Sequence, residues 1–199
     1  LLKLPRKELL MNDFKVGFIG LGLIGGSIAR ALKHYYPGVH ITAHTRSAET
    51  ARYALNEGII DKACREIDGS YGECDYIFLC APVEANASYL RILKPLLKED
   101  CILTDAGSTK TDIHEHINAL GMQKNFIGGH PMTGSEKTGI ANSKRYILEN
   151  AYYILTPSAG ISQDKIDRYE KLVQTIKALP LILDYREHDY VTAAISHLP

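Results

Sequence analysis

The apolar run Val16–Ile19 passes directly into Gly20-Leu21-Gly22-Leu23-Ile24-Gly25, and the helical stretch Leu23–His34 opens inside that turn. Few folds accept such a junction. The first glycine permits the tight turn, the second lets a phosphate approach the backbone, and the third lets the helix pack closely on the strand. The helix N-terminus adds unpaired N–H groups and partial positive charge. Residues 20–25 are therefore expected to cradle the pyrophosphate of a dinucleotide.

The rest of the chain alternates β-like runs with helical stretches. Strands are expected at Val16–Ile19, His40–Ala43, Tyr76–Cys80, Ile102–Thr104, Phe126–Gly128, Tyr152–Leu155 and Leu181–Leu183. Helices are expected at Leu23–His34, Ala48–Glu57, Glu84–Leu97, Thr111–Leu120 and Gln163–Ala178. Gly58 suits a helix C-terminus, while Thr109 and Ser162 read as helix N-caps. This alternation specifies an α/β fold of the Rossmann type, doubly wound on a mostly parallel sheet. Residues 1–14 read as a leader and 15–186 as the dinucleotide-binding domain. Residues 187–199 read as a helix without a partner face, the expected start of a truncated C-terminal helical domain.

The end of the second strand bears on which dinucleotide binds. An acidic residue there would bond the ribose hydroxyls of NAD, but the run is His44-Thr45-Arg46-Ser47. A guanidinium flanked by Thr45 and Ser47 suits the 2′-phosphate of NADP, so NADP is favoured over NAD. Cys80-Ala81-Pro82 follows the next central strand, and its small residues would let a nucleotide pass closely. In Asp105-Ala106-Gly107-Ser108-Thr109-Lys110, Ser108 and Lys110 are expected to face the nicotinamide or the substrate.

His130, in Gly128-Gly129-His130-Pro131, follows an expected strand at the ligand edge. Its ordinary pKa lies near neutrality, so it can accept a proton while a hydroxyl-bearing carbon loses hydride. A nicotinamide-dependent dehydrogenase is the reading these two segments support together.

The pairing of VGFIGLGLIGGSIA with GGHPMTGSEKTG, with DAGSTK between them and SHLP at the end, resembles the prephenate dehydrogenase family, which includes arogenate dehydrogenases. The resemblance runs from about Lys15 to Pro199 and implies oxidative decarboxylation of prephenate to 4-hydroxyphenylpyruvate in tyrosine biosynthesis. It implies that His130 binds the C4 hydroxyl and takes its proton, and that Ser108 orients both the hydroxyl and His130. By the same likeness Glu136 influences access to the site and His197 lies near the substrate. The family's C-terminal helical domain supplies an essential arginine and forms a homodimer. These 199 residues alone are thus expected to bind cofactor but to turn over poorly. Arogenate is the rival substrate, and a nucleotide-binding regulatory domain without chemistry is the reading from another class.

Composition narrows the partners. Lys+Arg and Asp+Glu both number 23, which gives no bulk field for nucleic acid or an anionic membrane. No apolar run is long enough to span a bilayer. The four cysteines contain no C-x-x-C pair, which disfavours disulfides or zinc and fits a reducing cytoplasm. Cys80 and Cys101 read as core packing. His114-x-His116 reads as polar helix surface and Lys144-Arg145 as surface charge, so no metal site is expected.

Overall fold

The computed structural model describes residues 14–197, so all of the expected leader except Phe14 lies outside it. Five parallel strands form the main sheet: β1 (Lys15–Ile19), β2 (His40–His44), β3 (Lys62–Cys64), β4 (Tyr76–Leu79) and β5 (Ile102–Asp105). Their order is β3-β2-β1-β4-β5. The helices α1 (Leu23–Tyr35) and α2 (Ala48–Asn56) carry the chain outward from β1, and it then returns to pair β4 on β1's other side. The helix α3 (Val83–Leu93) connects β4 to β5. Strand order therefore reverses beside β1, and in open parallel sheets ligands bind at the carboxyl edge of that switch point. Ile19 pairs with both His44 and Leu79, so β1, β2 and β4 end level and their loops open on one edge.

Burial on both faces explains the apolar runs. Phe18 joins Ile28 and Leu32 of α1 in one core cluster, while Ile19 joins Ile77, Leu79 and Leu90 in the other. Phe18 and Phe78 stack with ring centroids 5.0 Å apart.

After α4 (Thr111–Leu120) comes a three-stranded sheet in the order β6-β7-β8, formed by β6 (Ile127–Pro131), β7 (Tyr152–Pro157) and β8 (Leu179–Ile182). Strands β6 and β7 are antiparallel, whereas β7 and β8 are parallel, with α5 (Gln163–Thr175) crossing between them. A parallel bridge between Leu103 and Phe126 aligns β6 with β5 and brings His130 to the ligand edge. The last element is α6 (Tyr185–His197).

The structure corrects several expectations. Strand β3 was not expected, because three residues show too little alternation to read. His130 lies within β6, opposite Ile154, rather than following the strand. Ser162 does cap α5, but Thr109 does not cap α4; Asp189 of α6 accepts the backbone N–H groups of Lys110 and Thr111 instead. The helix α6 also has a partner face, since Tyr185 stacks on His114 and His188 is fully buried. His114 is 1% exposed, bonded to Thr156 and Ser158, so the polar-surface reading holds for His116 alone. Burial pulls the His114 pKa down to about 4. No helix among the described residues is long and apolar enough to cross a membrane.

Candidate active site

The three turn glycines have separable geometric roles. Gly20 has φ +93°, and a Cβ there would lie 2.7 Å from the Ala81 nitrogen. A Cβ on Gly25 would meet Gly20 O at 2.8 Å and Cys80 Cβ at 2.9 Å, so α1 sits directly against the β1 and β4 turns. Around Gly22 nothing lies within 4 Å. Gly22 is the N-cap of α1, makes no side-chain cap bond, and is followed by no acidic residue in the first turn. The first turn thus presents free N–H groups and an uncompensated positive end to open space.

That space is a cavity of about 500 Å³ bounded by Gly20, Leu21, Gly22, the residues His44, Thr45, Arg46 and Ser47, the residues Cys80, Ala81 and Pro82, and Tyr89. A neighbouring cavity of about 310 Å³ extends it past Leu23, Ile24 and Gly25 to Ala106, Gly107 and Lys137. The bare backbone cradle fits a dinucleotide pyrophosphate. At the β2 end no carboxylate borders the cavity, and Arg46 is exposed there. Ser47 spends its hydroxyl capping α2, accepting the Thr50 N–H at 3.1 Å. Tyr89, whose ring meets His44 edge-on, was not singled out in the sequence; as one aromatic among twelve tyrosines it carried no local signal.

His130 borders a third cavity, about 760 Å³, together with Ser108, Thr109, Met132 and Thr133, and with Asp189 and Thr192 of α6. Its Nδ1 lies 2.8 Å from His188 Nε2, and His188 Nδ1 lies 2.8 Å from Asp189 Oδ1. Burial is the main cause that draws the His130 pKa down to about 4, and His188 and Lys110 add to it. The imidazole is therefore neutral at physiological pH. Burial also pushes Asp189 upward, but hydrogen bonds from Thr111, His188 and Lys110 together outweigh it and hold the carboxylate below its ordinary value.

Lys110 does not face nicotinamide or substrate. Its side chain is fully buried, paired with Asp105, and its Nζ donates to Gly129 O at 2.8 Å. Burial lowers the ammonium's pKa and the Asp105 carboxylate opposes that shift. Lys110 thus supports the site from beneath. Ser108 stands exposed at the cavity mouth, whereas Glu136 is exposed on the loop after β6 and is not among the residues bordering the His130 cavity. His197 closes α6, and its side chain lies outside the described residues. Arg145 pairs with Glu149 on the surface at 2.6 Å, as its sequence setting implied. Among the described residues no group of three His, Cys, Asp or Glu side chains could hold a metal ion.

The family described as prephenate dehydrogenase, nucleotide-binding domain, matches residues 28–180. Prephenate dehydrogenase of Bacillus subtilis (strain 168) is 36% identical over 193 residues, covering 95% of this chain and 52% of the relative. The chain spans about half the length of the curated relatives it matches. The crystal structure of prephenate dehydrogenase from A. aeolicus, in complex with hydroxyphenyl propionate and NAD⁺, superposes with a TM-score of 0.86 at 30% identity, covering 96% of this chain and 66% of that one. Synechocystis arogenate dehydrogenase superposes with a TM-score of 0.85 at 31% identity, covering 92% of this chain and 64% of that one.

Proposed function

The chain belongs to the prephenate dehydrogenase family, whose nucleotide-binding domain it carries, and on that premise we propose that its full-length protein oxidatively decarboxylates prephenate to 4-hydroxyphenylpyruvate. The observation that carries this reading is His130, neutral and facing a cavity shared with Ser108, one loop away from the bare dinucleotide cradle. The bound nicotinamide supplies the hydride acceptor. Ser108 bonds the C4 hydroxyl of the substrate and sets its direction, and His130 receives the hydroxyl proton. Loss of the ring carboxylate as CO₂ restores aromaticity and makes the change strongly downhill. The protein's contribution is therefore chiefly positioning and proton acceptance.

Residues Gly20, Gly22 and Gly25 hold the pyrophosphate, with the α1 N-terminus behind it. Arg46 and Thr45 favour NADP, since no carboxylate at the β2 end would oppose a 2′-phosphate. Glu136 and His197 belong to the substrate's periphery in this reading, and a cytoplasmic homodimer built through a further helical domain completes it. Arogenate is the second reading, favoured by the near-equal superposition on the Synechocystis enzyme.

The test is formation of reduced nicotinamide by the full-length protein with prephenate or arogenate, each with NAD⁺ and NADP⁺. Turnover with prephenate and NADP⁺ is the expected result. Turnover with arogenate alone moves the assignment to the second reading. Tight dinucleotide binding with no turnover in any pairing removes the dehydrogenase assignment.

A further inference from the structure

We infer that His188 and Asp189 are positioning residues that fix the tautomer of His130, so that its Nε2 is the bare, proton-accepting atom turned to the substrate. This deepens the reading above and rests on His130 being the base.

Donors and acceptors along the chain of contacts fix the ring protons. Asp189 Oδ1 already accepts the Lys110 N–H at 2.7 Å, and Oδ2 accepts the Thr111 N–H at 2.8 Å. Those backbone bonds hold the carboxylate at the α4 N-terminus, where negative charge is favoured. An ionised carboxylate only accepts, so His188 Nδ1, 2.8 Å from Oδ1, must carry the proton that fills that contact. With that single ring proton on Nδ1, His188 keeps a lone pair on Nε2. His130 Nδ1 lies 2.8 Å from that atom and must be the donor. His130 in turn has a lone pair on Nε2, the nitrogen left for the cavity that also contains Ser108. The order Asp189–His188–His130 thus assigns every ring proton from a single fixed anion. His188 is fully buried, so water does not compete for its ring.

The step balances on these atoms. The C4 hydride takes two electrons to the nicotinamide, the ring–carboxylate bond breaks to release CO₂, and the hydroxyl proton goes to His130 Nε2. The Nδ1–H of the resulting imidazolium keeps its acceptor in His188. The groups that face His130 are His188 and Asp189 from α6, Lys110 ahead of α4 and Asp105 at the end of β5.

Two measurements test this. Nitrogen-15 NMR of the unmodified chain at neutral pH reports which ring nitrogen of His130 carries hydrogen. Nδ1–H with a bare Nε2 is expected, and an Nε2–H tautomer would overturn the inference whether or not the protein turns over prephenate. In the full-length enzyme, His188→Ala should lower kcat roughly 100-fold, the low end of what a positioned base contributes, with dinucleotide KM unchanged. Its acid limb should move toward neutral as water reaches His130. His188→Gln, whose amide oxygen can take the place of ring Nε2, should restore most of the rate. Equal impairment of both variants with an unmoved pH profile would reduce His188 to packing. If the NMR result holds while no pairing turns over, the function fails and the tautomer assignment stands.

Discussion

Lys110 and Asp105 form a buried ion pair that grips Gly129, the residue before His130, from both sides. Asp105 Oδ1 accepts the Gly129 N–H at 3.0 Å, and Lys110 Nζ donates to the Gly129 carbonyl at 2.8 Å. A Cβ on Gly129 would lie 2.7 Å from Asp105 O, so only glycine lets β6 approach β5 this closely. The pair therefore fixes the height at which His130 enters its cavity.

Breaking this pair on one side leaves a buried charge without a counter-charge. Lys110→Met should lower stability by about 3–5 kcal/mol. The double variant Lys110→Met/Asp105→Asn should recover part of the loss, because no lone charge remains. Urea unfolding of the two variants checks this, and a single variant as stable as the parent would contradict the clamp.

The fingerprint glycines should separate folding from binding. Gly25→Ala forces a contact at 2.8 Å with backbone and should lower Tm. Gly22→Ala meets nothing within 4 Å in the protein and should leave Tm unchanged. Its added methyl would occupy the path of the pyrophosphate, so dinucleotide Kd should rise by roughly tenfold or more. Thermal melts beside dinucleotide titrations distinguish the two. A Gly22→Ala chain that binds as well as the parent would move the cradle elsewhere.

Acid should destabilise the fold through its histidines. The pKa values of His114 and His130 fall from 6.5 to about 4 on folding, so the unfolded chain binds more protons between those values. Their stabilising contribution is complete above about pH 6.5 and is lost as pH falls toward about 4. His114→Gln should flatten the stability–pH slope across that window. An equally steep slope in the variant would assign the acid response to the carboxylates instead.

Dinucleotide choice should turn on one side chain. Arg46→Ala should weaken NADP⁺ binding by roughly 1.5–3 kcal/mol, the worth of a hydrogen bond to a charged group, and leave NAD⁺ binding nearly unchanged. Calorimetric titration of both dinucleotides decides it. Parallel losses for the two would mean that Arg46 does not meet the 2′-phosphate.

What the sequence made legible was local. The turn at 20–25 and the strand-end histidine carry their signals within a few residues, and so do the Ser162 cap and Gly58, whose φ is +63°. What it hid depends on contacts far along the chain. Lys110 reads as a loop cation turned toward nicotinamide or substrate, until Asp105 and Gly129 close around it. Asp189 carries no local signal, yet it caps a helix 78 residues earlier, a role that Thr109 was expected to fill. His188 lies 58 residues from His130, and no periodicity links them. His114 falls on the buried side of α4 because α6 folds back to cover it, which the pattern of α4 alone does not reveal.

Whether His130 is the proton acceptor is decided by His130→Asn in the full-length protein, with kcat for prephenate and dinucleotide Kd measured side by side. A kcat roughly 10²- to 10⁴-fold lower with Kd unchanged is expected, because the residue accepts a proton and holds no cofactor. A variant that keeps kcat within a few-fold of the parent would show that the proton leaves by another route.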